Sequence, residues 1–192
     1  GDLARPCSRD DRAAITGRLT PIAEAGAVTW RSKRIVMLDI DDTLTTAGRL
    51  PSESYAALSR LQRAGFIVVP VTGRPAGWCD MIARFWPVDG VVGENGAFYF
   101  RYDHTTRTMC RQFVDDDATR AANRAKLDAL ARQIPKEVPG CALSADQPYR
   151  IADLAIDFRE DVAPLRREAI DRIVELFEAV GATVTRVRPG DR

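Results

Sequence analysis

The chain has 192 residues, 45% hydrophobic and 29% charged, an ordinary globular composition with enough apolar residues for one domain or two small ones. Its net charge of +1 gives no electrostatic footprint for nucleic acid or an anionic membrane. No apolar run approaches the roughly 20 residues of a membrane span, and the N-terminus lacks the apolar core of a signal peptide. Cys7, Cys79, Cys110 and Cys141 form no CxxC pair, which suits reduced thiols in a cytoplasmic protein better than a disulfide or zinc framework.

Residues 1–34 are polar and without sustained periodicity, and read as an N-terminal arm. Ile35 to Asp39 is a short apolar run of the kind that forms a buried parallel strand. A loop follows. Pro51 then opens a helix with Tyr55, Leu58 and Leu61 at helical spacing, stopped by Gly65. Phe66 to Val71 is a second apolar run, with Pro70 expected near its end, where a missing N–H does least harm. Thr72-Gly73-Arg74-Pro75 is a turn into a helix reaching about Trp86. Asp89 to Gly93 is a third strand. The order βαβαβ predicts a parallel sheet with crossover helices.

The pattern changes after Asn95-Gly96. Ala97–Tyr102 and Thr108–Val114 alternate around Asp103-His104-Thr105-Thr106, as a hairpin does. Asp117 caps a predicted helix to about Ile134, stopped by Pro135. Ile151 to Phe158 reads as an apolar-rich strand carrying two acids. Pro164 opens a helix with Leu165, Ala169, Ile173, Leu176 and Phe177 on one face, ended by Gly181. Ala182 to Val187 is predicted as a final strand. The division expected is therefore 1–34 arm, 35–96 α/β core and 97–192 α+β unit.

The chemistry concentrates in Asp39, Asp41 and Asp42, directly after the first strand. Burying acids there costs several kcal/mol per ion without compensation. No Lys or Arg sits among them, so a hard cation such as Mg²⁺ is the natural partner. Residues two apart on an extended segment face the same way, so Asp39 and Asp41 converge on one site. That site is the crevice at the carboxyl ends of the strands. The competing reading is a solvated turn, for which Asp-Asp-Thr is also good chemistry. Thr72-Gly73-Arg74 ends the second strand at the same sheet edge, and its hydroxyl, backbone N–H and guanidinium suit a phosphate. A helix-entry turn capped by Thr72 is the alternative.

Taken together, Asp39-Ile40-Asp41-Asp42-Thr43-Leu44 resembles the first motif of the haloacid dehalogenase-like superfamily, and Val71-Thr72-Gly73-Arg74 resembles its second. Val92-Gly93-Glu94-Asn95-Gly96-Ala97 is similar to the third-strand junction of the Cof-type, sucrose-phosphatase-like branch, which inserts an α/β cap there. The resemblance implies a Rossmannoid parallel core with an α+β cap. It implies a Mg²⁺-dependent phosphatase acting through an aspartyl-phosphate on a small phosphorylated metabolite, such as a sugar phosphate. Asp39 would be nucleophile and Asp41 acid/base. The Asp39 carboxylate and the Asp41 backbone carbonyl would hold the metal. Thr72 and Gly73 would hold phosphoryl oxygens, with Arg74 and Asn95 in outer contact. Asp42 would be a bystander in the turn, at a place where Gly is common. Tyr149 and Arg150 are candidate specificity residues in a cap loop.

The resemblance also implies a lysine motif and a later acidic motif after the cap. Neither Lys33, Lys126 nor Lys136 stands where the first belongs, and Gly190-Asp191 matches only two letters of the second. The sequence therefore reads as the N-terminal part of the core plus the cap, completed by a second chain, a homo-oligomer or a continuation. A phosphotransferase or phosphomutase on the same scaffold, and a catalytically silent binding module, are the alternatives.

Overall fold

The computed structural model describes residues 34–185. All of the expected arm except Arg34, the last residues of the predicted final strand and Gly190-Asp191 lie outside that range.

Three parallel strands build the site's platform: β1 (Ile35–Asp39), β2 (Ile67–Val71) and β3 (Val91–Gly93). They are joined by α1 (Ser52–Arg63) and α2 (Ala76–Phe85). β2 lies between β1 and β3, and Asp39 is in register with Val71. Both helices cover one face of the sheet. Val68, Val91, Phe98 and Phe100 alternate onto that face and pack with Leu58 of α1 and Cys79 and Ile82 of α2. On the opposite face Ile35 and Met37 are exposed.

Pro70 sits fourth of five in β2, as its missing donor requires. Val68 N–H bonds the Asp89 carboxylate at 2.8 Å and Thr72 N–H bonds the Val92 carbonyl at 2.9 Å. By the alternation of a parallel strand, Pro70 lies between these two on the β3 side, just before the β3 ladder begins.

The hairpin, β4 (Phe98–Asp103) and β5 (Thr108–Phe113), does not stand apart from the core. β4 pairs antiparallel with β3, making one mixed five-stranded sheet of order β1-β2-β3-β4-β5. The sheet thus runs past residue 96. The turn Glu94–Gly96 is tight enough to fold β4 straight back onto β3, because all three residues have positive φ.

A second cluster of buried side chains lies further along the chain. α3 (Asp117–Glu137) contributes Leu130 and Ile134, and α4 (Arg167–Ala179) contributes Ile173, Leu176 and Phe177. A two-stranded ladder, β6 (Ala142–Leu143) with β7 (Ile156–Asp157), completes it. The α/β class with a mixed α+β second part agrees with the sequence.

Several boundaries differ. Asp116, not Asp117, caps α3, accepting the Thr119 N–H at 2.7 Å. Pro135 does not stop α3, which runs on to Glu137; in the last turn a proline forfeits one bond without disturbing a helix beyond it. α4 begins at Arg167, three residues after Pro164. The strand expected over Ile151–Phe158 shrinks to two residues, because the amides of Ile151, Ala152 and Asp153 bond a side chain instead of a ladder. Residues 182–185 carry no strand.

Candidate active site

β1 delivers Asp39 to the carboxyl edge of the sheet, and β2 delivers Thr72-Gly73-Arg74 beside it. After Asp39 the chain coils around one carbonyl. Ile40 C=O accepts the amides of Leu44 (2.9 Å) and Thr45 (3.0 Å) and the Thr45 hydroxyl (3.2 Å). Asp42 sits at φ 56°, a left-handed position that Gly, Asn and Asp enter most readily, and its N–H bonds Thr45 Oγ1 at 3.0 Å. Asp42 is therefore a turn residue, and its exposed carboxylate is not part of the loop's bonding.

The acids are less buried than expected. Asp39 and Asp42 are exposed, and Asp41 is half-exposed. The positive charge missing from the local sequence arrives from another strand. Arg74 clamps Asp41 with Nη2 at 2.6 Å from Oδ1 and Nε at 3.1 Å from Oδ2. This bidentate pairing is the strong form of a charge-assisted bond. It holds the Arg74 guanidinium above its ordinary basicity. The same guanidinium lies 4.8 Å from the centre of the Trp78 ring.

Thr72 is buried, and three successive carbonyls of this loop are anchored. Thr72 C=O accepts Asn95 N–H at 3.2 Å, Gly73 C=O accepts Arg150 Nη1 at 3.1 Å, and Arg74 C=O accepts Glu94 N–H at 3.2 Å. Arg74 N–H bonds Thr72 Oγ1 at 3.1 Å. Thr72 is thus not the cap of α2. Pro75 holds that position without a side-chain bond, and the first helical amide, Ala76 N–H, goes to Glu94 Oε1 at 2.9 Å. A Cβ at Gly73 would lie 3.0 Å from Asn95 Oδ1, so the Asn95 side chain closes over this residue.

Asp39, Asp41, Thr72, Gly73, Arg74 and Asn95 are therefore brought to one sheet edge. For a metal, the donor chemistry is right in kind, since carboxylate and carbonyl oxygens suit a hard cation. Asp41 spends its carboxylate on Arg74, leaving the Asp39 carboxylate as the free acidic donor of the pair. Among the described residues no cluster of three or more acidic, His or Cys side chains is arranged to hold an ion.

What sequence reasoning missed is Glu94. It is 2% exposed, and besides Ala76 it accepts Ile151 N–H (3.0 Å), Ala152 N–H (2.6 Å) and Asp153 N–H (2.9 Å). It does so from a left-handed backbone, φ 44°, which a residue of its type rarely adopts. The one available signal was an acid inside Gly-Glu-Asn-Gly directly after a buried strand. The sequence reading makes Arg150 a specificity candidate in a loop. Here it is nearly buried, held by Asp146 (2.9 Å) and Asp153 (3.0 Å). Burial works against the Asp146 carboxylate, yet Arg150 and Ser144 outweigh it and hold it below the usual range, while burial pushes Asp153 up. Burial also pushes the Cys79 thiol up to about 12, so it is an inert core group. His104 lies in the exposed β4–β5 turn against Tyr102.

A family model described as haloacid dehalogenase-like hydrolase matches residues 36–131, half of the chain. No curated protein is close enough to match. Among solved structures, a Thermoplasma acidophilum protein aligns with TM-score 0.57 at 18% identity, covering 78% of this chain and 58% of its own. An N-terminally truncated, IMP-bound IMP-nucleotidase of Plasmodium falciparum aligns with TM-score 0.50 at 12% identity, covering 80% of this chain and 48% of its own. At these identities the likeness concerns the fold. The chain spans about half the length of the solved relatives it matches.

Proposed function

We propose that this chain, which belongs to the haloacid dehalogenase-like hydrolase family, carries the phosphoryl-transfer half-site of a phosphomonoester hydrolase acting on a small phosphorylated metabolite, with a sugar phosphate as the first class to try. One observation carries the reading. Asp39 ends β1 in register with Val71, so a carboxylate with no clamping cation stands next to the Thr72-Gly73 loop at one sheet edge. A phosphate seated on that loop has its phosphorus within reach of an adjacent carboxylate.

In this reading Asp39 Oδ attacks phosphorus and the bond to the leaving oxygen breaks, giving an aspartyl-phosphate. Asp41 donates the proton that the leaving oxygen takes up. Asp41 then accepts a proton from water as its oxygen attacks the same phosphorus, releasing inorganic phosphate and restoring Asp39. Thr72 Oγ1 and the Gly73 N–H hold phosphoryl oxygens, and Arg74 and Asn95 bound the site. Arg74 must release or share Asp41 for this proton transfer, and an arriving phosphate dianion competes for the same guanidinium. The Asp39 carboxylate and Asp41 carbonyl are the groups that would hold Mg²⁺, which when bound would neutralise phosphate charge. The cytoplasm is the compartment proposed; among the described residues no helix is long and apolar enough to cross a membrane. Nucleic acid and membranes are not proposed as partners.

The test is p-nitrophenyl phosphate turnover with Mg²⁺, repeated with sugar phosphates. Wild-type activity should fall at least about a thousandfold in Asp39→Asn, the scale of losing a covalent nucleophile. Turnover that survives the substitution, or is absent from the wild type, sinks the hydrolase reading. Phosphate appearing on an added sugar, rather than free, assigns a phosphotransferase instead.

A further inference from the structure

The phosphate loop is not held by its own strand alone. Each of the three consecutive carbonyls of Thr72, Gly73 and Arg74 has a donor outside the loop: Asn95 N–H, Arg150 Nη1 and Glu94 N–H respectively, with the Cys79 thiol a second, longer donor to Arg74 C=O at 3.8 Å. In a trans peptide the C=O and N–H point opposite ways, and no cis bond occurs here. Anchoring Thr72 C=O on Asn95 therefore turns the Gly73 N–H towards the opposite side. No described residue accepts that N–H, although Thr72 beside it is buried. The next peptide is pinned at both ends, with Gly73 C=O on Arg150 and Arg74 N–H on Thr72 Oγ1. Both peptide planes flanking the Gly73 Cα are thus fixed.

The donors are fixed in turn. Glu94 gathers the amides of Ile151, Ala152 and Asp153 while also holding Ala76 at the head of α2. That docks residues 150–153 on the loop. Arg150 is then locked by Asp146 and Asp153, which leaves Nη1 aimed at Gly73 C=O. Asn95 Nδ2 reaches Asp153 at 3.4 Å and Tyr149 packs 3.1 Å from where a Gly77 Cβ would lie, so the contact continues on both sides. Every link is made by a residue more than fifteen positions away in sequence or by a neighbour of one.

We propose that Glu94 and Arg150 are positioning residues: together they seat segment 150–153 against the Thr72–Arg74 loop and so orient the free Gly73 N–H towards a phosphoryl oxygen. Neither touches the phosphate. The orientation of Gly73 follows from the geometry alone, while its use on phosphate rests on the hydrolase reading above.

The experiment separates the two. The ¹⁵N-labelled 192-residue chain is followed at the Gly73 amide resonance, first alone and then titrated with inorganic phosphate in Mg²⁺. Arg150→Met removes the donor and keeps the bulk; Arg150→Lys restores one donor; Glu94→Gln keeps one acceptor oxygen of two. The expected result is a displaced or broadened Gly73 resonance in Arg150→Met and Glu94→Gln before any phosphate is added. Phosphate binding should then weaken about tenfold in both, with part of the loss recovered in Arg150→Lys. A Gly73 resonance that stays in place in folded Arg150→Met overturns the proposal. So does a uniform displacement of resonances across the sheet that Arg150→Lys does not relieve, which is the mark of general destabilisation. Should Glu94→Gln fail to fold, the two Arg150 variants decide alone. If Gly73 responds to the variants but the wild type ignores phosphate, the positioning role stands and the phosphomonoester reading falls.

Discussion

The two loops that meet at the sheet edge are held in opposite ways. Beyond the β1 ladder the Ile40–Thr45 loop coils on itself with its acids towards solvent, its hydrogen bonds among the described residues spanning five residues or fewer apart from the pair between Asp41 and Arg74. The Thr72–Arg74 loop is braced by Glu94–Asn95 and, across 77 residues of sequence, by Arg150. A group that must attack, shed and regain a proton gains from solvent access and few fixed partners. A group that must aim a peptide N–H gains from rigid partners. The difference assigns reactivity to one loop and geometry to the other.

Substitution of the two acids at the loops' hearts breaks this comparison most sharply. Glu94→Ala leaves four amides without their acceptor in a buried site and should cost about 3 kcal/mol or more in urea unfolding. Asp39→Ala, at an exposed position, should stay within about 0.5 kcal/mol of wild type while abolishing turnover. Equal losses from the two would dissolve the contrast.

The glycines sharpen it on a smaller scale. A Cβ at Gly93 would fall 2.4 Å from the Phe98 ring and 2.6 Å from Cys79 Sγ, both packed in the core, so Gly93→Ala should destabilise by about 1–3 kcal/mol. At Gly73 the Cβ meets only the end of the Asn95 side chain at 3.0 Å, which can turn away. Gly73→Ala should therefore shift the melting midpoint little, yet raise the phosphate dissociation constant, measured calorimetrically.

The smallest effect is in pH. Folding holds Asp146 below the ordinary aspartate value of 3.8, so its contribution is complete above that value and lost as pH falls through the lower folded one. Asp153 is raised, so it contributes in the opposite sense: its share is present below 3.8 and lost as pH rises through the folded value. Unfolding free energies of Asp146→Asn should accordingly fall less steeply below pH 4 than those of wild type, whereas Asp153→Asn should lack the gain in stability that wild type draws from this group as pH falls from its raised folded value towards 3.8. Parallel acid limbs in all three would show that this cluster is uncoupled from folding.

Much of this was legible from residues whose partners lie close by. The runs Ile35–Asp39 and Phe66–Val71 gave β1 and β2, and the turn residues around His104 gave the hairpin. Asp42 could be read as a turn residue because its φ is set by local sterics. The expectation that the acids need a cation missed Arg74, since nothing local shows that a side chain from the next strand reaches Asp41. Ile151–Phe158 failed as a strand for the same reason. Its alternation is sound, but Glu94, 57 residues upstream, takes the amides a ladder would need. The site's residue types were visible; the brace was not, because the bonds from Glu94, Asn95 and Arg150 that join it to the loop are long-range.

The central claim is that Asp39 is the phosphoryl acceptor beside a preset Gly73 loop. Beryllium trifluoride, which adds to an aspartate carboxylate as a phosphoryl mimic, tests it without needing turnover. ¹⁹F NMR of the chain with Mg²⁺ and beryllofluoride should show bound fluorine signals that vanish in Asp39→Asn and in a chelator. Absence of a bound signal in the wild type, or its persistence in Asp39→Asn, would contradict the account.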